Sequence, residues 1–267
     1  MAWGKVPMLS PVTTTFIERL RSNDQAAWFE LWQTFGPVVR AQLLKWGKGR
    51  VGPETVQDLT QDTLTALSES IDRYDPKRGA RFSTWLLAIA KHVLGDELDR
   101  RHAQKRGGGQ EALSIDESWM APSGTEGADE QYEAAVFRAK VEAALRRVEA
   151  DSDFLDFQVF SLRVLEAKPG KEVAEQLGMS EPTVSRRAGR VRSALRVALA
   201  DVMAVYSFTE DEQLEAQRHG LAAGKTTGSD AGSAREYTAA EDAAFDDALS
   251  NVFWHGREPE RGPNGGG

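Results

Sequence analysis

Apolar residues recur at three- and four-residue spacing along most of this chain, and no segment alternates convincingly with the period of two that a half-buried strand requires. The fold class this predicts is all-α. Trp28, Leu31, Trp32 and Phe35 share one helical face. The Gly36-Pro37 step is expected to kink or restart that helix, which continues through Val39, Leu43 and Leu44. After a loop at 47–53, Pro53 suits a first helical turn, and Val56, Leu59, Thr63, Leu67 and Ile71 stripe the next helix. A loop over 72–80, with Pro76 and Gly79, leads into a further helix. There Phe82, Trp85, Leu86, Ile89 and Val93 form one apolar face, and Leu87, Ala90, Leu94 and Leu98 a second. A helix apolar on two sides is gripped from both.

Charge divides the chain into segments. Residues 107–135, opened by three glycines, hold seven acidic residues and no Lys or Arg, while 207–267 hold twelve acidic residues against five basic. Each segment carries −7 against −8 for the whole chain, so the remainder carries +6. The organisation expected is an N-terminal extension (1–19), a helical domain (20–106), a flexible acidic linker (107–135), a second helical domain (136–206) and an acidic tail (207–267), mostly disordered, with a short helix near 239–254. Basic folded parts point to a polyanion, nucleic acid first among them. The absence of cysteine excludes disulfides and Cys-based metal sites and suits a reducing compartment. The sequence shows neither an apolar run of membrane length nor a secretory leader, so a cytoplasmic protein without membrane insertion is expected. His92, His102, His219 and His255 lie far apart with no ligand spacing, so no catalytic residue, metal or cofactor is expected, and the chain does not read as an enzyme.

The strongest local motif is "KEVAEQLGMSEPTVSRRAGRVRSALR". A helix-turn-helix needs a small residue where its helices cross, a turn residue that tolerates positive φ, and an apolar anchor on the second helix; Ala174, Gly178 and Val184 supply them. Ser180 is placed to cap the second helix, and Val184, Ala188, Val191, Leu195 and Leu199 form its buried stripe. Thr183, Ser185, Arg186, Arg187 and Arg190 are the residues this arrangement offers to a major groove. In the first half, Glu54, Asp58 and Asp62 repeat every four residues. Like charges at that spacing cost an isolated helix about 0.2–0.5 kcal/mol per pair, and a basic partner would offset the cost. The stretch "DRYDPKRGARFSTWLLAIAKHVLGDELDRR" places a basic loop before an aromatic helix, with Arg81, Lys91 and His92 on the narrow arc its apolar faces leave open.

Together "VQDLTQDTLTAL", this aromatic helix with its loop, and the helix-turn-helix resemble, in order, an extracytoplasmic-function sigma factor over roughly residues 20–205. The resemblance implies a sigma region 2 bundle and a sigma region 4 helix-turn-helix joined by the acidic linker, and a non-catalytic subunit that joins bacterial RNA polymerase core and starts transcription from chosen promoters. Carried over residue by residue, Glu54, Asp58, Gln61 and Asp62 fall on the polymerase-binding helix, although Gln57 stands where the family usually has an acid. Arg73, Lys77, Arg78, Arg81, Trp85, Lys91 and His92 fall on the minus-ten reader, with His92 in place of a frequent asparagine. Thr183, Ser185, Arg186, Arg187 and Arg190 fall on the minus-thirty-five reader. Polymerase core and promoter DNA are the partners implied, with an anti-sigma factor or a kinase as further partner classes. Thr60, Thr63 and Thr65 are three threonines on the polymerase-binding helix where a phosphate would supply negative charge. The rival reading is a helix-turn-helix regulator that binds DNA without joining polymerase; it needs neither the acidic stripe nor the tryptophan helix. In the tail, Phe245, Leu249, Val252 and Phe253 share a face, and a helix so short is expected to form only when docked, with a basic face of the folded domains as its target.

Overall fold

A computed structural model describes residues 11–75, 81–105, 130–207, 209–222 and 237–254. Among these residues the secondary structure is helical, without strands. The chain forms two compact units, one of Met1–Ala139 with Ala204–Gln213 and the other of Lys140–Met203 with Leu214–Gly267.

In the first unit, α1 (Pro11–Arg21), α2 (Gln25–Gly47), α3 (Pro53–Ser70) and α4 (Phe82–Lys105) pack around one core. Asn23 takes φ +59° in the turn after α1, a conformation Asn tolerates. Asp24 then caps α2 by accepting from the backbone N–H groups of Ala26 and Ala27 at 2.9 and 3.3 Å. The helix is continuous through Pro37, rather than restarting there. Pro37 is exposed, and the apolar contacts of Phe35, Val38, Val39 and Leu43 on the other side hold the element together. Leu44, expected in that stripe, is exposed instead. Pro53 occupies the first turn of α3. The buried face of α3 is Val56, Leu59, Thr63 and Leu67, continued by Ile71 in a 3₁₀ turn. α4 buries Phe82, Leu86, Ile89, Ala90 and Leu94.

An aromatic cluster fills the centre of this unit. Phe35 lies 6.0 Å from Phe82 and Tyr74 5.4 Å from Phe82, while Tyr74 stacks on Trp85 at 4.9 Å. Tyr206 closes the cluster edge-on to Phe16 and Phe35 at 5.2 and 5.3 Å. The first residues of α5 (Glu130–Asp151) join the same core through Tyr132, Val136 and Phe137, and the Tyr132 hydroxyl donates to the carbonyl of Ser83 at 2.8 Å. Residues 130–135 are thus helical, part of the stretch read from sequence as linker.

In the second unit, α6 (Phe154–Phe160) widens into a π turn over 161–165. α7 (Gly170–Leu177) and α8 (Glu181–Tyr206) follow as the helix-turn-helix. Val159, Leu162, Val173, Ala174, Val184 and Ala188 form its core, flanked by Leu177 and Met179. Gly178 ends α7 at φ +63°: its N–H reaches the Glu175 carbonyl and the Met179 N–H the Ala174 carbonyl, the paired bonds of a Schellman turn. After α8 come α9 (Glu210–Gln213, in the first unit), α10 (Glu215–Arg218) and, in the tail, α11 (Ala239–Trp254). Residues 209–222, read from sequence as part of a disordered tail, are therefore folded. Glu212 in the first unit, and Glu215, Ala216 and Leu221 in the second, are buried, and Lys140 Nζ lies 3.3 Å from Glu215 Oε2. The reason is pairing of acids that composition alone counts as solvated.

Candidate nucleic-acid interface

The outer face of α3 carries Glu54, Asp58, Gln61 and Asp62, all exposed. Among the described residues none of the three acids has an ion pair, so the repulsion along the stripe has no compensation within this unit. The threonines divide. Thr60 and Thr63 are buried, and their hydroxyls donate to the carbonyls of Val56 and Leu59 at 2.6 and 2.7 Å. Thr65 is exposed, with its hydroxyl on the Gln61 carbonyl at 3.2 Å. Of the three candidates for added charge, only Thr65 presents its hydroxyl at the surface.

On the neighbouring face, Arg73 and Lys91 are exposed. Lys77 and Arg78 lie outside the described residues. Trp85 is half-buried against Tyr74, whose phenol burial pushes up, with Glu212 and Asp75 adding to the shift. His92 is half-buried, its Nε2 3.4 Å from Asp96 Oδ2. Arg81 is the residue whose surroundings the sequence did not announce: its guanidinium donates to the carboxylates of Glu133 in α5 and Asp211 in α9. Burial pulls its pKa down, but those two carboxylates outweigh it and hold the cation firmly charged. Arg100 and Arg101, near the end of α4, are also paired. Glu97 pairs with Arg100 and Arg101 at 2.7 and 2.6 Å, and Arg101 reaches on to Thr55 Oγ1 at 2.8 Å and the Arg50 carbonyl, tying α4 to the start of α3. Burial raises the Glu97 pKa, yet the two arginines bring it below the usual carboxylate range.

In the second unit, the start of α8 presents Ser185 and Arg186 fully and Thr183 partly to solvent. Ser180 and Thr183 hydroxyls lie 2.9 Å apart, and Arg186 Nε donates to the Pro182 carbonyl at 3.2 Å, which holds this turn in place. Arg187 and Arg190 converge on Asp156 of α6. Asp156 is buried, which raises its pKa, but the two guanidiniums hold it below the ordinary value. Arg190 keeps 63% of its side chain exposed and Arg187 only 26%. Arg187 thus ties α6 to α8, while Arg190 remains available to an anion. Sequence reasoning did not single out Arg192 and Arg196, which face the tail helix.

Comparison with known proteins agrees with this layout. Residues 25–104 match the model of sigma-70 region 2, and residues 155–195 match that of sigma-70 region 4. Over 149 residues the chain is 29% identical to the RNA polymerase sigma factor CnrH of Cupriavidus metallidurans, an alignment spanning 55% of this chain and 75% of that protein.

Proposed function

We propose a division of labour among three surfaces of this chain, which belongs to the extracytoplasmic-function sigma factors of bacterial RNA polymerase. It is a sigma factor, a DNA-binding subunit for transcription initiation. A stand-alone helix-turn-helix regulator has no use for region 2, so the rival reading falls. In the division proposed, Glu54, Asp58, Gln61 and Asp62 on α3 dock on a basic surface of polymerase core. Arg73, Arg81, Trp85, Lys91 and His92, with Lys77 and Arg78 of the preceding loop, engage the minus-ten element. Thr183, Ser185, Arg186 and Arg190 read the minus-thirty-five element, with Arg187 holding the frame. Bond formation belongs to the polymerase, and this chain supplies positioning and recognition.

The observation that carries the docking surface is the row of exposed, unpaired acids on α3, opposite the buried face of Val56, Leu59, Thr63 and Leu67. A charge row that repels itself and pairs with no cation among the described residues suits a basic partner. The test is Asp58→Lys combined with Asp62→Lys, titrated against core polymerase. Juxtaposed like charges cost several kcal/mol at an interface, so a loss of core affinity of at least about tenfold is expected. Unchanged affinity with circular dichroism intact would assign core binding to another surface.

A further inference from the structure

The helix at the end of the chain meets the helix-turn-helix unit through a constructed set of contacts. Arg192 of α8 grips Asp246 of α11 with two nitrogens, Nε to Oδ1 at 2.7 Å and Nη2 to Oδ2 at 2.6 Å, and reaches Asp242 with Nη1 at 3.1 Å. Arg196, one turn further, donates to Asp242 Oδ1 at 2.8 Å and to the Glu241 carbonyl at 3.3 Å. Its guanidinium also lies over the rings of Tyr237 and Phe245, at 3.7 and 4.5 Å from their centroids. Planar, forked donors favour this bidentate and stacked arrangement, which lysine would not reproduce. Burial pulls the Arg192 pKa down, but Asp246 and Asp242 more than offset it.

Apolar contacts and backbone groups complete the fit. Phe245 and Leu249 of α11 are buried. The helix packs on the π turn at 161–165, and the Trp254 indole N–H donates to the Leu165 carbonyl. A side chain at Gly220 would come within 3.4 Å of Ala248, so the segment after α10 approaches α11 closely. α11 opens with a capping box: the Thr238 hydroxyl accepts from the Glu241 N–H at 3.2 Å, while Glu241 Oε2 accepts from the Thr238 N–H at 2.8 Å.

The position of this contact on α8 decides what it can do. At about 100° per residue, Arg192 lies about 160° around the helix axis from Arg190 and about 120° from Arg186, and it sits about two turns beyond Ser185 on the face they share. With α11 in place, Ser185, Arg186 and Arg190 remain exposed. A helix docked to mask the DNA reader would cover those residues, and this one contacts α8 further along, at Arg192 and Arg196.

We propose that Arg192, Arg196, the π turn at 161–165 and Gly220 form a docking site for an acidic amphipathic helix, that α11 is its resident occupant, and that the site is filled while the reading residues of α8 stay open to DNA. The tail then completes the DNA-reading unit rather than inhibiting it.

Hydrogen exchange of the full-length protein tests this without reference to polymerase. The amides of 245–249 should exchange slowly in the wild type. Asp246→Arg, a change on α11 that leaves the helix-turn-helix sequence untouched, should speed their exchange at least about tenfold, as should Arg192→Glu. The charge swap Arg192→Asp with Asp246→Arg should recover most of the protection. Fast exchange in the wild type, or protection indifferent to both single changes, overturns the site. Loss of protection across α7 and α8 in Asp246→Arg would equally overturn it, making α11 a part of the core and not an occupant. Mixed-sequence duplex DNA is then titrated at low salt until the amides of 183–190 slow. Steady protection of 245–249 at that point supports simultaneous occupancy, and falling protection means that tail and DNA compete.

Discussion

Gly178 holds φ at +63° with no atom within 4 Å of the place a Cβ would occupy. A substitution there meets conformational strain alone. Gly178→Ala should destabilise the helix-turn-helix unit by about 1–2 kcal/mol, the cost of a left-handed conformation for an L-residue, and urea denaturation would measure it. Asp156 offers a second residue-scale test. Its carboxyl lies below its ordinary pKa because the pull of Arg190 and Arg187 exceeds the effect of burial. A depressed folded pKa contributes stability that is present above the unfolded carboxylate range and is lost as pH falls through the folded value. Asp156→Asn should therefore cost stability at neutral pH, and the gap between variant and wild type should close in acid. A gap independent of pH would mean that the pair contributes through packing alone.

α3 is an element with two chemistries on opposite faces. Its inner face sets Thr63, 0% exposed, among Leu59, Leu67 and the core, with the hydroxyl on a carbonyl of its own helix. Its outer face carries the acids and Thr65. Adding charge to one face or the other should have opposite consequences. Thr63→Asp places an uncompensated charge in the core and should cost about 3 kcal/mol or more, reducing the soluble folded fraction. Thr65→Asp should leave the thermal midpoint almost unchanged, since surface substitutions usually stay within about 0.5 kcal/mol. If its carboxylate joins the docking stripe, it should also tighten core binding. Equal midpoints for the two variants would contradict the assignment of faces.

At the scale of the whole molecule, residues distant in sequence converge on Arg81. Glu133 lies in α5 and Asp211 in α9, yet both reach Arg81, just before α4. Two carboxylates there occupy the donors that a phosphate would use. Glu133→Gln with Asp211→Asn should raise the affinity of the free protein for single-stranded DNA at low salt. Releasing one cation should also steepen the dependence of log affinity on log salt by about 0.7 for a single strand. An unaltered slope would mean that Arg81 does not meet the backbone. The linker over 107–129 lies outside the described residues.

The sequence by itself determined the helical class and the turn between α7 and α8, because each rests on local rules: a period of 3.6, a glycine at positive φ, a proline in a first turn; the two sigma regions were legible only through the resemblance of ordered motifs. It determined the exposed acids of α3 for the same reason, since a helix fixes which residues share a face. What only the tertiary structure decided was which charges are spent inside the protein. Arg81 and Arg187 read in sequence as cations offered to DNA, and each is held by a carboxylate 31 to 130 residues away along the chain. The tail shows the same limit. Its apolar face was legible as Phe245, Leu249, Val252 and Phe253, of which Phe245 and Leu249 are buried, but the choice of Arg192 and Arg196 as its seat was not, because charge complementarity is satisfied by any basic face. Only the shape of α8 against the π turn, with Gly220 allowing close approach, selects one.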